Sequence, residues 1–133
     1  MSADGVFVDS NIFLYLLDRD PIKAGRAESI IRAGGVVSAQ VLNEIVSVAR
    51  KKFRAGWPLI HDVLESIRLR FLITPLTFDI HQYAIIIAER DGLNIYDANI
   101  VAAAQLAGCH TLLTEDLNPG QRFGGVTIRN PFV

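Results

Sequence analysis

Short apolar runs alternate with longer segments of mixed polarity along the chain. Val6-Phe7-Val8 is too short and too β-branched for a helix and reads as a buried strand. Val36-Val37, Phe71 to Thr74 and Thr111 to Thr114 have the same character, and a last short strand falls near Val126 to Ile128. The segments between them carry helix punctuation. Asn11 to Leu17 reads as a short helix. Asp20-Pro21 places a cap and a first-position proline ahead of a helix through Ala27, Ile30 and Ile31 that stops at Gly34-Gly35. Ser38 caps a helix from roughly Ala39 to Phe53, and Gly56-Trp57-Pro58 opens another that reaches about Arg70. Thr77 caps a helix that passes Tyr83, Ile86 and Ile87 and ends at Gly92. Asn94 to Ala107 is alanine-rich and almost wholly apolar in its later part, which predicts deep packing. Asn118-Pro119-Gly120 marks a turn.

Strands alternating with helices predict a parallel sheet covered on both faces, a three-layer α/β/α sandwich. The 133 residues suit a single domain over 1–133, long enough to bury a core without staples, and show no repeat or linker.

Half of the residues are hydrophobic and a fifth are charged, which excludes a disordered or fibrous chain. The apolar stretches are broken well short of a membrane span, and the polar opening Met1 to Gly5 does not read as a signal peptide. One cysteine, Cys109, permits no internal disulfide, so a reducing cytoplasm is the expected setting; beside Ala107 and Gly108 it reads as a small buried filler. The net charge of −1 lacks the positive excess with which proteins grip long nucleic acids. Any nucleic-acid contact must therefore be local, or be helped by a metal. Arg50-Lys51-Lys52 with Arg54 is the one dense positive segment, readable as a solvated helix end or as a phosphate contact.

Two of the strand candidates run into acids: Val8 into Asp9, and Thr114 into Glu115-Asp116. As parallel strands they would deliver these carboxylates to one sheet edge, the edge at which open α/β sheets bind ligands. Gathered carboxylates repel one another unless a cation separates them, and a divalent metal acting on a phosphodiester is the economical candidate. Each acid also has a plainer reading. Asp9 or Ser10 can be a helix cap, with Asn11 a further polar neighbour. Asp116 can make an Asx turn, and only one of Glu115 and Asp116 should face a site, because consecutive residues point apart. Glu44 shares a polar stripe with Gln40, Ser47 and Lys51, as any amphipathic helix allows. Asp97 suits the first turn of a helix by the dipole alone, but so apolar a helix pins that end to the core, and a partly buried acid needs a partner. His61, His81 and His110 form no zinc spacing, and neither a glycine-rich phosphate loop nor a Gly-x-Ser-x-Gly elbow occurs.

In order, Val8-Asp9-Ser10-Asn11, Leu42-Asn43-Glu44-Ile45, Tyr96-Asp97-Ala98-Asn99-Ile100 and Thr114-Glu115-Asp116 resemble the PIN-domain family, most closely the VapC-type toxins of bacterial and archaeal toxin–antitoxin pairs. Ile128 to Phe132 is similar to the ending of many such toxins. The resemblance implies that Asp9, Glu44, Asp97 and Asp116 hold Mg²⁺ or Mn²⁺, hard ions suited to oxygen ligands, with Ser10, Asn11 and Thr114 in support. Asn99 stands where relatives commonly carry an aliphatic residue and would add a hydrogen bond near the metal or merely cap. The implied activity is a cytoplasmic endoribonuclease acting on RNA. The implied partners are a small antitoxin whose tail fills the cleft and a second copy in a homodimer, with no membrane. Carboxylates this close should have raised pKa values in the metal-free protein.

Two alternatives compete. A receiver-type signalling domain needs an acidic pair after its first strand and a lysine after its last, but Asp9 is followed by Ser10-Asn11 and no lysine follows Lys52. A non-catalytic binding module of the same fold would use its acids as caps and show no Mn²⁺-dependent stabilisation.

Overall fold

A computed structural model describes residues 5–133; Met1 to Asp4 of the polar opening lie outside the described residues. The strands are β1 (Val6–Val8), β2 (Gly35–Ser38), β3 (Phe71–Thr74), β4 (Thr111–Leu113), β5 (Arg122–Phe123) and β6 (Val126–Arg129). The helices are α1 (Ser10–Leu14), α2 (Pro21–Ala33), α3 (Ala39–Lys51), α4 (Trp57–Arg70), α5 (Phe78–Asp91) and α6 (Ile95–Leu106). One sheet runs in the order β3-β2-β1-β4-β6-β5. All neighbours are parallel except β5 and β6, which pair antiparallel at the edge. Helices α1 to α4 pack among themselves and α5 packs along α6, completing the α/β/α sandwich.

The punctuation read from sequence operates as expected. Asp20 accepts from the Ile22 amide with Pro21 in the first turn, Ser38 and Thr77 cap α3 and α5, and Gly92 closes α5 in a left-handed conformation. Gly34 has a φ of 76°, and a Cβ there would lie 2.5 Å from the Arg70 carbonyl oxygen, so the turn from α2 into β2 admits only glycine. The core is built from both faces of the central strands (Phe7, Val8, Val36, Val37, Leu112 and Ile128) and from the run Ala98 to Ala104 of α6.

The parallel centre of the sheet is as expected, and three details differ. The sheet is mixed: the two-residue strand β5 folds back on β6 across Gly124-Gly125, with Phe123 opposite Val126. A strand this short shows no alternation, although two glycines between apolar residues are themselves a hairpin signal. The first helix starts at Ser10 and tightens into a 3₁₀ turn over Tyr15–Leu17. Helix α3 stops at Lys51 rather than Phe53, before Arg54 at φ 51°.

Register places the candidate site. Val8 lies opposite Leu113, and the Asp9 amide donates to the Leu113 carbonyl at 3.0 Å. Asp9 and Thr114 therefore leave the sheet level with one another, at its C-terminal edge. No helix among the described residues is long and apolar enough to cross a membrane.

Candidate active site

Asp9 is the hub of this edge. Extended backbone at φ −80° and ψ 161° lets it cap α1, and its Oδ1 accepts from the Ser10 amide at 2.7 Å. Its Oδ2 accepts from the Thr114 hydroxyl at 2.8 Å and from Asn11 Nδ2 at 3.5 Å. Thr114 Oγ1 in turn accepts from the Asp116 amide at 3.1 Å and from Asn11 Nδ2 at 3.3 Å. One threonine hydroxyl thus ties the carboxylate after β1 to the loop after β4.

The second arm reaches α3. Ser10 Oγ donates to Glu44 Oε2 at 2.9 Å and lies 3.4 Å from Asp9 Oδ1, while Gln40 Nε2 donates to Glu44 Oε1 at 3.1 Å. Glu44 is half-buried and turned to the site; the polar stripe of α3 is not merely a solvated face. The third arm is the start of α6. Asn94 caps that helix by accepting from the Asp97 amide at 2.9 Å, and its Nδ2 donates to Asp97 Oδ2 at 2.8 Å.

Electrostatics couples the four acids. Burial pushes the Asp9 carboxyl from its ordinary 3.8 up to about 7. The hydrogen bonds from Thr114 and the Ser10 amide oppose that rise, and the charges of Glu44 and Asp116 add to it. Asp97 is raised by burial and by the Asp116 charge, against the bond from Asn94. The ion pairs of the structure, Glu28–Arg32, Glu65–Arg68 and Arg90–Asp91, lie elsewhere, and among the described residues no lysine or arginine is paired with the quartet. Among the described residues the edge is a set of mutually repelling carboxylates without a paired cation.

Among the described residues no three acidic, histidine or cysteine side chains stand at a spacing that would hold a metal ion directly. The donor set is nonetheless all oxygen and surplus in negative charge. It fits a hard divalent ion that keeps part of its water shell, as Mg²⁺ commonly does.

Glu115 is drawn aside. The Tyr15 hydroxyl donates to its Oε2 at 2.7 Å, which raises the Tyr15 pKa to about 12. The Tyr15 ring packs against Phe132 with centroids 4.2 Å apart. Of the two consecutive acids, Asp116 is the one coupled to Asp9 and Asp97. Asn99 is buried and does not cap; its Oδ1 has no hydrogen-bond partner among the described residues. Sequence reasoning passed over the positioning roles of Gln40 and Tyr15, and over the second bond that Asn94, the cap of α6, makes to the Asp97 carboxylate. Gln40 lies one helical turn before Glu44 and Tyr15 four residues after Asn11, spacings that put each pair on one side of the chain.

The sequence profile of the PIN domain family matches residues 6–121. No curated protein matches the sequence. A chain of a toxin–antitoxin complex from Klebsiella pneumoniae superposes with a TM-score of 0.70 at 22% identity, over 95% of this chain and 97% of that one. VapC20 of Mycobacterium tuberculosis, a toxin that cleaves the sarcin-ricin loop, gives 0.67 at 20% identity, over 84% and 91%. A chain of Rickettsia felis VapBC2, bound to a DNA fragment from its promoter, gives 0.66 at 19% identity, over 94% and 97%. At these identities the likeness is one of fold.

Proposed function

The chain belongs to the PIN-domain family, and from that premise we propose that it is a metal-dependent endoribonuclease, the toxin of a type II toxin–antitoxin pair. The observation that carries the reading is the coupling of Asp9, Glu44, Asp97 and Asp116 at one sheet edge, with no lysine or arginine among the described residues paired to them. Asp9, Asp97 and Asp116 would hold hydrated Mg²⁺ or Mn²⁺, in part through the ion's retained waters, with Glu44 binding directly or through water. A cation bound there would lower the pKa of a water and stabilise charge on the phosphodiester.

The protein's own part is orientation. Thr114 and the Ser10 amide fix both oxygens of Asp9, Ser10 and Gln40 aim Glu44, and Asn94 holds one oxygen of Asp97 and leaves the other open. Outer hydrogen bonds of this kind sustain metal affinity. RNA would be gripped locally, as suits a chain of net charge −1. The toxin–antitoxin neighbours support a small antitoxin as partner, and we propose a homodimer in the cytoplasm as its setting.

Cleavage of total RNA, with Mg²⁺ or Mn²⁺ and then with chelator, compared between the wild-type protein and Asp97→Ala, tests the reading. Cleavage that survives chelation, or an undiminished Asp97→Ala, would remove it. The alternative of a non-catalytic binding module predicts no Mn²⁺-dependent rise in stability at all.

A further inference from the structure

A cavity of about 140 Å³ lies beside the acidic edge, between the α1 segment with its 3₁₀ turn and the C-terminal end of α3. Its apolar lining is Leu14, Val48 and the half-buried ring of Phe53. Its charged lining is Asp18, Glu115 and Lys52, whose Nζ stands 5.5 Å from the centre of the Phe53 ring. Asn11 belongs to both places: it lines the cavity, bonds to Thr114 Oγ1 and Asp9 Oδ2, and accepts from the Glu115 amide at 3.4 Å. Glu115 does not swing freely, since Tyr15 holds it and Phe132 braces Tyr15. Neither Glu115 nor Lys52 has a part in the proposed hydrolysis.

We propose that this cavity receives the nucleobase next to the scissile phosphodiester and favours amino-bearing bases over uracil. The proposal deepens the endoribonuclease reading and rests on it. The space is far below the 300–1,000 Å³ typical of drug-sized ligands, and suits one planar ring system rather than a peptide segment. A base lying on Phe53 and the aliphatic side chains would stack without regard to sequence. Discrimination then falls to the carboxylates. They accept from the exocyclic amines of cytosine, adenine and guanine, whereas uracil has no exocyclic amine and its one donor, the ring N3–H, is flanked by carbonyl oxygens that the negative charge repels. Lys52, at the end of α3, supplies a positive charge for an adjoining phosphate. This is a local contact of the kind open to a chain of net charge −1.

The test has two arms. In the first, cleavage ends are mapped in an RNA pool of random sequence with the wild-type protein, Glu115→Gln and Lys52→Ala. Uracil should be depleted about tenfold at one position beside the cut, and Glu115→Gln should abolish that depletion, because an amide can donate to uracil O4. Lys52→Ala should raise KM several-fold with little change in kcat. In the second arm, CMP and UMP are titrated into ¹⁵N-labelled protein without metal, and CMP alone should move the Asn11, Lys52 and Phe53 amides.

A Glu115→Gln cleavage pattern identical to the wild type overturns the proposal, as does cleavage without base preference. In either case the cavity would belong to a protein partner or to no ligand, while the hydrolytic reading stands. If the wild type cleaves nothing and CMP still moves these amides selectively, the hydrolytic reading fails and the base pocket stands. Absence of selective shifts with no cleavage removes both.

Discussion

Replacing Asp9 by asparagine should reverse its effect on stability between mildly acidic and mildly alkaline pH. In the metal-free fold the carboxyl titrates near 7 instead of 3.8. A carboxyl whose folded pKa is raised contributes stability that is fully present below the unfolded value and is lost as pH climbs through the folded one. Integrated over about pH 5 to about pH 8, that loss is about 2.5 kcal/mol at ~1.4 kcal/mol per tenfold. Asp97 is raised as well and adds in the same direction. Asparagine does not titrate and should remove most of the slope. It also has a cost. Its oxygen can still accept from the Ser10 amide, but an amide group placed at Oδ2 would face a Thr114 hydroxyl that already accepts from Asp116 and Asn11. One hydrogen bond lost there is worth about 1 kcal/mol. Asp9→Asn should therefore be about 1 kcal/mol less stable than the wild type near pH 5 and more stable near pH 8. Urea denaturation followed by circular dichroism in chelator, at both pH values, measures this directly. Parallel pH profiles for the two proteins would refute the burial of an unpaired carboxylate.

Metal should restore what pH removes: near pH 8 in chelator-free buffer, Mn²⁺ at about a hundred times its Kd should add ~2.7 kcal/mol to the wild type and nothing to Asp9→Asn. The same titration near pH 5.5 should show weaker binding because protons compete for Asp9, and a pH-independent affinity would contradict the assignment. Ser10→Ala releases Glu44 and one neighbour of Asp9, and should weaken Mn²⁺ about 10- to 100-fold in a thermal-shift titration while the fold persists; unchanged affinity would show that Glu44 needs no positioning. Gly34→Ala forces a Cβ within 2.5 Å of the Arg70 carbonyl at a φ of 76° and should cost more than ~1 kcal/mol in urea denaturation, where a near-neutral result would mean that the α2–β2 turn relaxes freely.

Much of the fold was legible because its signals are local. Asp20-Pro21, Ser38, Thr77 and Gly92 act on the residues beside them, and each stands at the helix end where the sequence put it. What escaped depends on one segment meeting another rather than on a single punctuating residue. Strand β5 is two residues long and exists only because β6 lies against it. The end of α3 is set by the left-handed Arg54 and by Ala55 bonding back to Ala49, not by a breaker inside the helix. The candidate site divides in the same way. Asp9 and Asp116 could be placed at one edge from the strand pattern alone, since parallel pairing fixes where strands end. Glu44 could not, because α3 reads as an ordinary amphipathic helix until the Ser10 hydroxyl, 34 residues away in sequence, is brought to it. The diversion of Glu115 was equally hidden, resting on a tyrosine 100 positions earlier.

Capping, set against ligation as a reading of the sequence, does not preclude it. Asp9 caps α1 through Oδ1, and the geometry that does so leaves Oδ2 turned toward Thr114 at the open edge of the sheet. Asp97 has its amide and one carboxylate oxygen tied to Asn94, which sets the rotamer and leaves the second oxygen without a bond to that residue. A carboxylate oxygen accepts more than one hydrogen bond, so a cap does not exhaust it. Burial then raises Asp9 because the cap holds it where water is scarce and like charges are near. The local rule that starts the helix thus also immobilises the carboxylate. A cation drawn to these acids would meet groups already fixed in place and would relieve a repulsion that the metal-free fold must otherwise carry.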